Sequence, residues 1–153
     1  MKPTAVALLI ESKDHKVLLE LRDDDSIYSG NWSLFDGVLQ KCDWRGDVYK
    51  SIERCARRLI GEKLKLKVGE YRLPFNPRYL ELFHSGNYDF GSLCFDQYVF
   101  ATSFNLPYDM LALEKGKEMA LFGLDQIKDM TIAANYKKVI EYYLSKRLNF
   151  GQI

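Results

Sequence analysis

The chain has 153 residues, 47% of them hydrophobic and 14% aromatic, enough apolar material for one packed domain over residues 1–153, and this excludes a disordered chain. Twenty-two Lys and Arg stand against 21 Asp and Glu, a formal net charge of +1. That balance excludes a dedicated nucleic-acid binder, whose phosphate contacts call for a strongly basic surface, and it equally excludes an acidic tail.

Cys42, Cys55 and Cys94 form no C-x-x-C pair, so neither a structural zinc site nor a disulfide framework is expected, and all three read as small buried hydrophobes. The apolar run Ala5–Ile10 is too short for a signal-peptide core. No stretch reaches the ~18–20 apolar residues of a membrane span. The expectation is a cytoplasmic protein without membrane contacts.

In chain order, Ala5–Ile10 and Val17–Leu21 read as two strands joined by the polar turn Lys13–Lys16. Arg22–Ser26 is a charged loop. Trp32–Phe35 is a short strand that Asp36-Gly37 breaks before Val38–Gln40 resumes. From Asp47 the period changes: Val48, Ile52, Cys55, Ala56, Leu59 and Ile60 fall at helical spacing, with Asp47 as N-cap and an end near Lys65. Pro74 and Pro77 mark a loop, Arg78–His84 reads as a strand, and Ser85–Asn87 as a turn. Leu93–Phe104 is a long aromatic strand, expected to be central in a sheet. Glu118–Phe122 is a further strand, Asp125–Asp129 a helical turn, and Ala133–Leu148 a terminal helix with Val139, Ile140, Tyr143 and Leu144 on one face. The pattern predicts an α+β fold with a mixed sheet.

Three segments, Leu21–Asp25, Gly30–Gly37 and Ala56–Glu62, together resemble a Nudix hydrolase, with Leu113–Phe122 similar to a late segment of that family. The family signature is G-x5-E-x7-R-E-U-x-E-E-x-G-U, where U is a bulky aliphatic residue. The resemblance implies a Nudix-type α/β/α sandwich around a mixed β-sheet. It also implies Mg²⁺- or Mn²⁺-dependent hydrolysis of a nucleoside diphosphate linked to another group. The chemistry needs helix glutamates at i, i+3 and i+4, which share one face and gather hard oxygen ligands for the metal. The metal then neutralises phosphate charge and lowers the pKa of the attacking water.

The signature is degenerate here. With Gly37 as its glycine, the loop glutamate falls on Asp43, while Gln40 replaces a further acid and Asp36 a preceding glycine. Taking Arg57 as the signature arginine puts thirteen residues between it and Asp43 instead of seven. In that register Arg58 and Gly61 replace two helix glutamates and Glu62 keeps the third. Gly46-Asp47 offers a second loop register, although Asp47 fits an N-cap better. In the late segment, Lys115 stands where relatives carry an acid.

Two functions follow as expectations. The first is a binder of a nucleoside-diphosphate-linked small molecule with impaired hydrolysis, in which Arg58 takes over the electrostatic work of the metal. The other is an active Mg²⁺-dependent pyrophosphohydrolase with Asp36, Asp43 and Glu62 as metal ligands and Asp43 and Glu62 as catalytic residues. Arg22, Arg57, Arg58 and Trp44 are the expected ligand-binding residues. A third idea, a prenyl-diphosphate isomerase, rests on Cys42 alone. His15 and His84 have no nucleophile partner at a recognisable spacing. Relatives commonly form homodimers, and no residue here marks such an interface.

Overall fold

The computed structural model describes residues 3–23, 30–66, 81–90, 93–104, 108–114 and 118–150. The first two strands, β1 (Thr4–Glu11) and β2 (Val17–Leu21), form the expected hairpin, and His15 takes a left-handed φ of 61° in its turn. The short strands β3 (Trp32–Ser33) and β4 (Phe35–Val38) follow. The chain breaks at Leu34, and Asp36-Gly37 lies inside β4, so the expected break there is corrected. The cause is tertiary: β4 pairs with β1 from Phe35 opposite Leu8 to Val38 opposite Ala5.

Helix α1 (Val48–Lys63) starts at Asp47, whose Oδ1 accepts the Tyr49 amide at 2.7 Å. It ends where the sequence passes into β5 (Leu64–Leu66). β6 (Glu81–Phe90) runs through Ser85–Asn87 without a turn. Its ladder with β7 (Leu93–Ser103) supplies those residues with backbone partners, so pairing overrides the local turn signal. The turn expected at Ser85–Asn87 is therefore absent, and the Pro74 and Pro77 loop lies outside the described residues.

β8 (Leu111–Leu113) pairs with β5, β9 (Glu118–Phe122) pairs with β2, and α2 (Leu124–Ile127) precedes α3 (Tyr136–Phe150). α3 starts three residues later than Ala133, because Ala134 adopts a left-handed φ of 54°.

The main sheet runs β3-β2-β1-β7-β6, with β1 and β7 parallel and the other pairs antiparallel. The central position of the aromatic strand β7 is as expected. β2 pairs with the last residues of β1 and β4 with its first, so the sheet forks beside β1.

Alternation along β1 divides the core. Val6, Leu8 and Ile10 face α1 with Phe35, Ile52, Cys55 and Leu59. Ala7 and Leu9 face α3 with Leu34, Tyr136, Ile140 and Leu144. The result is the α/β/α sandwich. Among the described residues, no helix is long and apolar enough to cross a membrane.

Candidate functional site: a guanidinium groove beside helix α1

The site forms where β4 hands the chain to α1. Gly37 faces the helix, and a Cβ there would lie 2.5 Å from Leu59 Cδ2, so glycine lets α1 approach the sheet closely. Its backbone needs no left-handed turn. A 3₁₀ turn over Lys41–Asp43 then folds the loop back, with the Gln40 amide donating to Asp43 Oδ2 at 2.9 Å.

Asp43, whose side chain is 1% exposed, meets α1 through Arg58. Arg58 Nε donates to Oδ1 and Nη2 to Oδ2, each at 2.9 Å, a bidentate pair. Arg58 Nη1 also donates to both oxygens of Glu62 at 3.2 Å. The hydrogen bond from Arg58 holds the Asp43 carboxyl below the usual carboxylate range, and the same bond raises the guanidinium further. Burial pushes the neighbouring Cys55 thiol up to about 12, so it stays protonated and inert.

Asp43, Arg54, Arg57 and Arg58 line a groove of about 370 Å³, together with Cys42, Lys50 and Glu53. Arg54, Arg57 and Arg58 stand at i, i+3 and i+4 of one helix and share a face. Glu53 is engaged by Arg57. Among the described residues, the side chains of Lys50 and Arg54 form no hydrogen bond or ion pair. Four cations thus face an opening whose two carboxylates are already paired.

The structure brings Asp43, Glu62, Arg57 and Arg58 to this region and leaves Asp36 elsewhere. Asp36 pairs across from Ala7, on the α3 side of the sheet, where Arg22 Nη1 donates to both its oxygens at 3.0 Å and the Tyr136 hydroxyl donates at 2.7 Å. β-strand alternation puts Asp36 and Gly37 on opposite faces, so the expected Asp36/Asp43/Glu62 cluster does not form. Among the described residues, no three His, Cys, Asp or Glu side chains are gathered as a metal would require. The donor set beside α1 therefore does not fit a divalent cation: a guanidinium occupies the space between its two acids and cannot be deprotonated.

Arg22 is committed to Asp36 and Ser33 in the fork of the sheet, away from the groove's lining. Trp44 follows the groove residue Asp43 and is 53% exposed. Cys42 is exposed on the groove, correcting its expected burial, and Cys94 is half-buried. His15 Nδ1 donates to Oε2 of the buried Glu11 at 2.7 Å. Lys115 and Gly116 lie outside the described residues. The sequence offers no separate signal for Lys50, and reads Arg54 with Arg57 and Arg58 as a local basic stretch, a solvated helix face or a diphosphate-attracting rim. The signal for Arg54 was present, because Arg54-x-x-Arg57-Arg58 has the glutamate spacing that the family resemblance demands.

No family model matches the chain, and no curated protein matches it. Solved structures do. The Nudix domain of Shewanella oneidensis NrtR, complexed with ADP ribose, is similar at a TM-score of 0.69 and 15% identity, over 97% of this chain and 89% of that one. The chain has the Nudix fold. The MutT protein of Methanosarcina mazei shares the Nudix fold with it at a TM-score of 0.64 and 16% identity, over 95% and 94% of the two chains. A bifunctional NMN adenylyltransferase/ADP ribose pyrophosphatase from Francisella tularensis, complexed with AMP and a Mn ion, gives 0.67 and 15%, over 95% of this chain and 42% of that one.

Proposed function

We propose that this Nudix-fold protein binds a nucleoside-diphosphate-linked small molecule without a metal and has lost metal-dependent hydrolysis. The observation that carries the reading is the groove at Asp43, where Arg54, Arg57 and Arg58 occupy the i, i+3, i+4 face. With two residues inserted between loop and helix, the signature run R-E-U-x-E-E aligns with Glu53-Arg54-Cys55-Ala56-Arg57-Arg58. In that register every charged position is inverted, and Cys55 takes the buried aliphatic position. This register replaces the one that began at Arg57.

Arg54 and Lys50, whose side chains pair with no acid among the described residues, supply positive charge that a metal would bring to a diphosphate, and Arg pairs phosphate oxygens bidentately. They supply no polarised water, which is the other service of a metal in such chemistry. Trp44 beside the groove offers a stacking face for a base. ADP ribose, bound by the similar NrtR domain, is the first ligand to test.

Thermal denaturation with ADP ribose, in Mg²⁺ and in EDTA, is the experiment. Equal stabilisation in both buffers, lost in Arg54→Glu/Arg57→Glu, is the expected result. Phosphate release should stay at background. Mg²⁺-activated turnover that Glu62→Gln abolishes would overturn the reading and restore the hydrolase alternative.

A further inference from the structure

Glu20 is an acid that neither the groove nor the Asp36 network uses. It follows the apolar run Val17-Leu18-Leu19 near the end of β2. Strand alternation turns it to the side of Leu18, toward α1, where it is only 6% exposed. At this level β2 has left β1, and Glu20 pairs with Ser33 of β3 and Met119 of β9. Lys63, the last residue of α1, donates to Glu20 Oε1 at 2.7 Å.

That single bond leaves both partners with capacity to spare. Among the described residues, Glu20 Oε2 accepts no hydrogen bond, and Lys63 Nζ, with three N–H donors, makes no second one. Asp36, the other acid of the fork, is a contrast: its oxygens accept from Arg22 and from Tyr136. Stability alone does not select the Glu20–Lys63 pair, because apolar residues of similar size in place of a buried ion pair are often neutral or stabilising. Here burial outweighs the attraction of Lys63 and raises the Glu20 carboxyl above its ordinary value. Lys63 keeps 19% of its side chain exposed, so solvent reaches the pair.

The half-used pair presents an acceptor and a donor side by side. A cation would meet Lys63 and an anion would meet Glu20, so the complement is an uncharged group that both gives and takes hydrogen bonds. An amide or a nucleobase edge does this, but a flat group gains most from a flat face. Phe35, the ring recorded against Lys63, is 1% exposed and packed into the core. Hydroxyls need no such face, and each both donates and accepts. Two on adjacent carbons are spaced like an acceptor and a donor in hydrogen-bond contact.

From this geometry we infer that the fork beside β2 is a second binding site, in which Glu20 Oε2 accepts from, and Lys63 Nζ donates to, the vicinal hydroxyls of a sugar. The inference goes beyond the function proposed for the groove and stands without it.

The probe is methyl β-D-ribofuranoside, an uncharged ring with one vicinal diol. In an amide NMR titration of the wild type it should shift Glu20, Ser33 and Lys63. The 2-deoxy analogue, which lacks one of the two hydroxyls, should bind at least about tenfold more weakly. Glu20→Gln keeps the shape and an accepting oxygen but removes the charge, and it should weaken the riboside about tenfold with an unchanged or raised Tm. A merely structural pair would move the Tm and give no riboside shifts to lose. The wild-type titration decides the matter even where the variant fails to fold. Arg54→Glu/Arg57→Glu, which should lose ADP ribose, should keep the riboside. No shift at these amides up to the solubility of the riboside would overturn the inference, as would equal affinity for the 2-deoxy analogue or a preference for benzamide. Riboside binding lost in Arg54→Glu/Arg57→Glu would place the sugar in the groove and overturn it too, whereas failure of ADP ribose alone would remove only the groove reading.

Discussion

Arg58→Met is the perturbation that most directly probes the pairing at the centre of the site. Methionine keeps the length and apolar stem of the side chain and deletes the guanidinium. The buried Asp43 then loses two charge-assisted bonds of 2.9 Å and keeps the Gln40 amide. Breaking a buried pair by removing one partner costs about 3–5 kcal/mol. Arg58 is 18% exposed, so water can reach part of the vacated space, and the lower end applies, about 3 kcal/mol. The half-exposed Glu62 arm adds about 0.5 kcal/mol at most. For a chain of this size the loss corresponds to a fall in Tm of about 6–12 °C.

The pH dependence gives the prediction a second edge. Asp43 has a depressed pKa in the folded state, so its contribution is fully present above the usual value of 3.8 and is lost as pH falls through the depressed one. Urea denaturation of wild type and Arg58→Met should therefore show a constant gap near neutrality that closes in strong acid. A gap below about 1 kcal/mol, or one unchanged at about pH 3, would refute the argument. The double variant Asp43→Asn/Arg58→Met should recover much of the loss, because no buried charge is then stranded.

Lys63→Met should strand Glu20, whose Oε1 accepts from Lys63 at 2.7 Å in the fork of the sheet. Burial raises the Glu20 pKa, so the penalty should be largest near neutral pH and shrink as pH falls and the carboxyl protonates, as denaturation at several pH values would show. Gly37→Ala should cost about 1–2 kcal/mol by pushing on the buried Leu59, measurable by chemical denaturation. Replacing Arg54, Arg57 and Arg58 together by Glu should create an acidic i, i+3, i+4 face, and Mn²⁺ should then raise the Tm of the variant and not that of the wild type.

Much of the fold was legible because its signals are local or periodic. Asp47 as N-cap, the helical spacing from Val48 to Ile60, and the long aromatic run of β7 each carry their own physical cause. The errors arose where partners distant in sequence decide. Ser85–Asn87 has turn chemistry, yet the β7 ladder holds it extended. Asp36-Gly37 has break chemistry, yet β1 pairs with it throughout. Ala134 gives no sequence warning of a left-handed backbone.

The site was half legible for a related reason. Asp43 and Arg58 stand out through the resemblance to the family signature, and they meet. Asp36 was grouped with them because it is near in sequence, and strand alternation sends it through the sheet to Arg22 and Tyr136. Arg54 reads from sequence only as one member of a basic stretch with Arg57 and Arg58, because the number of residues inserted before the helix depends on how Lys41–Asp43 folds. That turn is held by one hydrogen bond from Gln40 and by the distant Arg58.

The guanidinium face of α1 also bears on what would govern occupancy. A carboxylate cluster that binds phosphate through a cation fills according to two concentrations, and a chelator empties it. Arginine side chains keep their charge throughout the range in which proteins stay folded. On the proposed reading, an anion would fill the groove at Arg54, Arg57 and Arg58 according to its own concentration, without a divalent ion and with little dependence on acidity.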